Sequence, residues 1–259
     1  MVKIPSIMEM LKCGVHFGHQ PCRWHPKMEQ YIFGLRNGVH IIDLERTAQE
    51  LEKTLKIVKA LATEGKVVLF VGTKRQARTI VKEAAESCSM PYLVERWIGG
   101  LLTNFVEVRR RLRKYNELKD QFKTGEIEKY SKKERQMLKK KLEKMDKYLV
   151  GLADLKEMPD AIYVSDMRTS KTAIAEANRK DVPIVAISDS NTNPEKATYI
   201  IPANDDAVNS IKMMAMLMAE AVNEGRAEWE KKQMSIKVAN TPIQTGKQER
   251  KALVKDQDV

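Results

Sequence analysis

Two kinds of hydrophobic spacing alternate along the chain. Short continuous apolar runs at residues 66–71, 92–94, 161–165, 184–187 and 199–201 have the length of buried strands. Between and after them lie segments with helical spacing, at residues 76–87, 171–179 and 207–224. The last of these turns Ile211, Met214, Met218 and Val222 to one side. Buried strands alternating with helices predict a parallel sheet covered on both faces. Upstream, Ser6 and Glu9 have capping-box spacing and open a short helix. Residues 14–38, rich in Gly, His, Pro and aromatics, read as irregular, with a short strand at 31–33. An apolar run follows at 39–42. Asp43 then caps a helix reaching residue 64, with Leu44, Ala48, Leu51, Leu55 and Val58 on its apolar face.

The alternation breaks between about residues 102 and 150. Leu101, Phe105, Val108, Leu112, Tyr115 and Phe122 form one narrow heptad stripe, and Leu138, Leu142, Met145 and Leu149 form a second. A break at residues 123–126, containing Gly125, separates them. This pattern predicts an antiparallel coiled-coil hairpin inserted into, and projecting from, an α/β domain made of residues 1–101 and 151–228. The stretch 229–259 is polar and unpatterned, and disorder is expected there.

Charge changes this picture more than composition does. The formal net charge of +11 is unevenly spread: residues 107–148 carry 16 Lys and Arg against 8 Asp and Glu. The hairpin is therefore a basic projection, which suits a polyanionic partner. No apolar run is long enough to span a membrane, and no signal-peptide core precedes the first helix, so a cytoplasmic protein is expected. Three cysteines, Cys13, Cys22 and Cys88, make no disulfide framework.

The candidate chemistry lies in loops. Gly72-Thr73-Lys74-Arg75 joins a strand to a helix, where a phosphate is favoured, but neither a Walker A nor a dinucleotide fingerprint is present. Lys74 and Arg75 are therefore read as ligands of an RNA phosphate. Arg23, Trp24 and Lys27 combine cations with an aromatic in an irregular segment and are also read as facing RNA. On the hairpin, Arg109, Arg110, Arg111 and Arg113 are candidate phosphate contacts. Cys13, His16, His19, Cys22 and His25 recur at every third position and could in principle bind zinc, although the intervening Gly and Pro argue against a helix that would gather them. A better candidate is acidic. Asp189, Asp205 and Asp206 fall at C-terminal strand ends of one sheet, and with His19 they could hold one divalent cation, magnesium or zinc. The plain alternative is helix capping. No cofactor is required by any motif, and no catalytic set of residues is evident.

Taken in order, Gly14-Val-His-Phe-Gly-His19, Trp24-x-Pro26-Lys-Met28, Tyr31-Ile-Phe-Gly34, Val39-His-Ile-Ile-Asp-Leu44, Leu69-Phe-Val-Gly-Thr-Lys-Arg75, Arg96-Trp-Ile-Gly-Gly-Leu-Leu-Thr-Asn104, Pro159-Asp160 and Ile201-Pro-Ala-Asn-Asp-Asp206 closely resemble the bacterial small-subunit ribosomal protein S2 family. The resemblance covers roughly residues 6–228. It implies a flavodoxin-like α/β/α domain with an inserted coiled-coil hairpin, and a structural, non-enzymatic place in translation. It also implies a seat on small-subunit ribosomal RNA at the junction of head and body, with Arg96 among the RNA-facing cations, and a role in anchoring ribosomal protein S1. Other small-subunit proteins are then partners, and neither a membrane nor a second copy of the chain is expected to be one. Cys13 and Cys22 depart from the family pattern. The competing readings are a nucleotide- or flavin-binding enzyme on the same scaffold, which would need a phosphate fingerprint, and a module that binds protein alone.

Overall fold

In the computed structural model, which describes residues 2–239, five parallel strands form the central sheet. They are β3 (Val68–Val71), β4 (Tyr92–Leu93), β5 (Ala161–Val164), β6 (Ile184–Ser188) and β7 (Tyr199–Pro202). Their spatial order is β4-β3-β5-β6-β7. Within this sheet that is a 2-1-3-4-5 order, which reverses direction beside β3 and leaves a crevice at the C-terminal strand ends. Strands β3 and β5 are buried at every position and β6 throughout, because helices cover both faces.

One face of the sheet presents Phe70, Tyr163, Val185 and Ile187. Onto it pack α2 (Leu44–Thr63), α3 (Arg78–Ser87) and α7 (Val208–Ala239). The other face presents Leu69, Val71, Ile162, Val164 and Ala186, covered by α6 (Lys171–Arg179) and residues near the base of the long insertion. The result is three layers, as the apolar runs predict.

Local signals set the element ends. Ser6 and Glu9 cap each other at the start of α1 (Ile7–Lys12). The Asp43 carboxylate accepts from Glu45 N at 2.9 Å and opens α2. The strand expected near residue 31 is β1 (Ile32–Arg36), which pairs antiparallel with β2 (Val39–Ile42) across Asn37-Gly38, both at positive φ. The insertion contains α4 (Phe105–Thr124) and α5 (Lys132–Leu149). Gly125, at φ +76°, terminates α4 in the left-handed conformation, and a Ser131–Glu134 capping box starts α5. Tyr115 is fully buried and its hydroxyl donates to Asp146 Oδ1 at 2.6 Å, tying the two helices together.

Disorder from residue 229 onward is corrected in part. Helix α7 continues through Ala239, with Lys59 of α2 paired to both Glu224 and Glu228. Trp229 packs against Gly65, so the helix gains tertiary support beyond residue 224. The remainder of the expected tail lies outside the described residues. Among the described residues, no helix is long and apolar enough to cross a membrane.

Candidate nucleic-acid interface and carboxylate cluster

At the C-terminal edge of the sheet, three loops bring acidic groups together. Asp166 follows β5, Asp189 follows β6, and Asp205 and Asp206 follow β7. Asp166, Asp189 and Asp205 are all at most 2% exposed. Among the described residues, His19, Asp205 and Asp206 are the group whose ligand atoms lie within 4.8 Å of one another. His19 also reaches Asp189, with Nδ1 3.1 Å from Oδ1, while its Nε2 is 3.2 Å from Asp206 Oδ2. The structure thus brings together all four residues of the acidic candidate. It does not gather Cys13, His16, Cys22 and His25 into a ligand group around His19.

Lys74 is the positive member of this cluster. Its Nζ lies 2.8 Å from Asp205 Oδ1, 2.7 Å from Asp206 Oδ1 and 3.9 Å from Asp166 Oδ2. Lys74, read from sequence as a phosphate ligand, faces carboxylates here instead: buried Asp205 and Asp166 and the more exposed Asp206 draw in its ammonium, and its side chain is largely withdrawn from solvent. The neighbouring Arg75 remains exposed. Burial pushes Asp205 up to about 8, helped by the charges of Asp189 and Asp166 and opposed by Lys74. For Asp206 burial acts upward too, but hydrogen bonding and charge from Lys74, with His19 and Arg168, hold it below the usual range. The contact with Asp189 raises His19 against the effect of burial. Lys74 alone leaves the group short of positive charge, and Asp205 bears the deficit. Asp166 was not singled out in the sequence. Its carboxylate already accepts from Arg168 N and Thr169 N in the turn that precedes α6.

The remaining cations are distributed over two surfaces. Arg23 and Lys27 are exposed, and Lys27 pairs with exposed Glu195. Trp24 is half-buried and stacked on His40, with centroids 5.3 Å apart, so it is partly a packing residue. On α4, Arg109, Arg110, Arg111 and Arg113 are all exposed, and Arg110 pairs with Glu107 at 3.2 Å. Arg96 is exposed with its guanidinium 4.8 Å from the centre of the Tyr148 ring. The loop carrying Arg96 is held by Glu176 of α6. That carboxylate accepts from Trp97 Nε1, Gly100 N, Leu102 N, Thr103 N and Thr103 Oγ1. Burial acts to raise Glu176, yet the donors prevail and hold it below the usual carboxylate range. Sequence reasoning passed over Glu176 because a lone acid in a helix pattern carries no signature.

The family model described as ribosomal protein S2 matches residues 10–225. The chain belongs to the ribosomal protein S2 family. Curated relatives named small ribosomal subunit protein uS2 are similar over most of their length. The Helicobacter hepaticus protein is 46% identical over 223 residues, covering 86% of this chain and 84% of the relative. One from Campylobacter jejuni is 47% identical over 222 residues, with 86% and 84% covered. The Wolinella succinogenes protein is 46% identical over 222 residues, with 86% and 82% covered.

Proposed function

We propose that the protein is a structural, non-enzymatic constituent of the small ribosomal subunit, bound to ribosomal RNA in the cytoplasm. The observation that carries this is the family match across the α/β domain, joined to an insertion whose exposed face bears Arg109, Arg110, Arg111 and Arg113. Exposed arginines spread around the outer side of a helix suit phosphates, which position a protein on RNA. In this reading α4 and α5 act as a coiled-coil hairpin, and Arg23, Trp24, Lys27, Arg75 and Arg96 extend the RNA-facing surface. The seat is the junction of head and body, next to other small-subunit proteins.

Anchoring of ribosomal protein S1 belongs to the same reading. Its support is an exposed apolar surface: Ile7, Met8 and Leu11 of α1, with Met216 of α7 beside Cys13. A single copy per subunit is proposed, without homo-oligomer or membrane contact.

The carboxylate cluster is proposed to hold one divalent cation, magnesium or zinc, through His19, Asp205 and Asp206, with Asp189 orienting His19. The fit rests on the raised Asp205, which still lacks compensating charge with Lys74 in place. Asp166 offers Lys74 an alternative carboxylate when a cation enters. The cation would supply structural cross-linking of the strand-end loops and no chemistry.

Tagged protein expressed in cells tests the main reading. It should co-sediment with small subunits and not with free large subunits. Absence from the small-subunit fraction would refute it.

A further inference from the structure

Two clefts lie near the foot of the basic helices: one of about 760 Å³, whose lining mixes Glu86, Asp154, Glu157 and Asp160 with Lys66, Lys156 and Arg226, and a smaller one of about 590 Å³ between the Arg96 loop and the two helices. The second has an unusual lining. Trp97, Ile98, Val108, Met145, Tyr148 and Leu149 supply an apolar and aromatic wall, Arg96, Arg111 and Lys144 supply the cations, and among the described residues no carboxylate lines it. Its volume is in the range that holds a small organic group. Neither Arg111 nor Lys144 is ion-paired among the described residues.

We propose that this cleft receives one unstacked nucleobase of the ribosomal RNA, with the adjoining phosphate on Arg111 and Lys144. The inference rests on the RNA-binding reading above and names the subsite within it. Arg96 and Tyr148 already form a cation–π pair, and a flat base extends such a stack. Trp97 cannot drift, because its indole N–H is held by Glu176 at 2.9 Å, so the wall is formed before the ligand arrives. A nucleotide brings its own negative charge to the three cations. An apolar protein side chain would cover the same wall and leave those cations partly desolvated without a counter-charge. The cationic character continues along the insertion, where Arg111, Lys114 and Lys141 line the next depression, with Glu117 as its one acid. A strand leaving the cleft therefore has a path for its phosphates.

The experiment uses the full chain and small-subunit ribosomal RNA, with chemical probing of base edges and binding measured across salt concentrations. Tyr148→Leu removes the stacking ring, and Tyr148→Phe keeps it. Gly99→Leu obstructs the cleft mouth from a position where an added Cβ meets nothing within 4 Å, so it tests the cleft even if Tyr148→Leu fails to fold. Base stacking on an aromatic is worth enough for a loss of about five- to 150-fold in affinity. The expected result is a loss of that order in Tyr148→Leu and Gly99→Leu. One nucleotide should become newly reactive, the salt slope should hardly change, and Tyr148→Phe should behave as the parent. Unchanged affinity and base protection in Gly99→Leu would overturn the proposal, as would a photoreactive group at position 99 that crosslinks to protein instead of RNA. Failure of the RNA-binding reading looks different: the parent itself would show no salt-dependent affinity for the RNA.

Discussion

Glu176 accepts the indole N–H of Trp97 at 2.9 Å, across 79 positions of sequence, and the same carboxylate takes three backbone N–H groups of the loop that leads into α4. The orientation of the basic insertion thus depends on one acid of the α/β domain. Glu176→Ala should lower stability by at least about 2 kcal/mol, since it leaves the buried Leu102 N–H and its neighbours without an acceptor. Thermal unfolding, with Trp97 fluorescence as a local probe, measures this. A parent-like transition would show that water replaces the carboxylate without cost.

The acidic cluster gives a second prediction, in pH. Asp205 and His19 both have folded-state values raised above their ordinary ones. A raised group contributes stability below its unfolded value, and that contribution fades as pH rises through the folded value. In chelator-treated buffer the protein should therefore lose stability as pH rises from the ordinary carboxylate range to about 8, where buried Asp205 ionises, with His19 adding to the loss above the ordinary imidazole range. Below the ordinary carboxylate range the trend should reverse, because Glu176 and Asp206 are lowered and lose their contribution as pH falls. Asp205→Asn should flatten the upper limb. A limb that is equally steep in that variant would remove Asp205 as its source.

Elemental analysis bears on the proposed cation. Purified protein should carry close to one divalent ion, and Asp205→Asn or Asp206→Asn should release it. Equal content in parent and variants would leave Lys74 as the sole counter-charge.

Gly225 marks the tight crossing of α7 over α2. A Cβ built there falls 2.4 Å from the Lys59 carbonyl oxygen and 2.6 Å from Ala62 Cβ. Gly225→Val should push the helices apart and cost about 1–3 kcal/mol, read by denaturant unfolding. A smaller change would mean that the crossing relaxes freely.

Much of this architecture is legible in the sequence, and the omissions have physical causes. The buried runs that become β3, β5 and β6 are continuous because both faces are covered, so they stand out. The hairpin β1–β2 is less visible: Asn37-Gly38 is a strong turn signal, but its flanks are short and carry the exposed Phe33 and Leu35. Helix α7 outruns its apolar pattern because polar contacts from Lys59 support it, and such contacts have no periodicity. In the cluster, strand-end position located Asp189, Asp205 and Asp206. The same rule applied to Lys74 gave a phosphate ligand, since sequence shows that a cation sits at the edge but not which charge it faces.

The central claim is that the protein grips ribosomal RNA through the cations of α4. Its most direct test is the salt dependence of binding to small-subunit ribosomal RNA, compared between the parent and a variant with Arg109, Arg110 and Arg111 all changed to Ala. Each phosphate contact contributes somewhat under one unit to the slope of log affinity against log salt. The account predicts weaker binding and a slope flatter by roughly two to three units in the variant. Equal slopes would contradict it and make the arginine row an ordinary solvated surface.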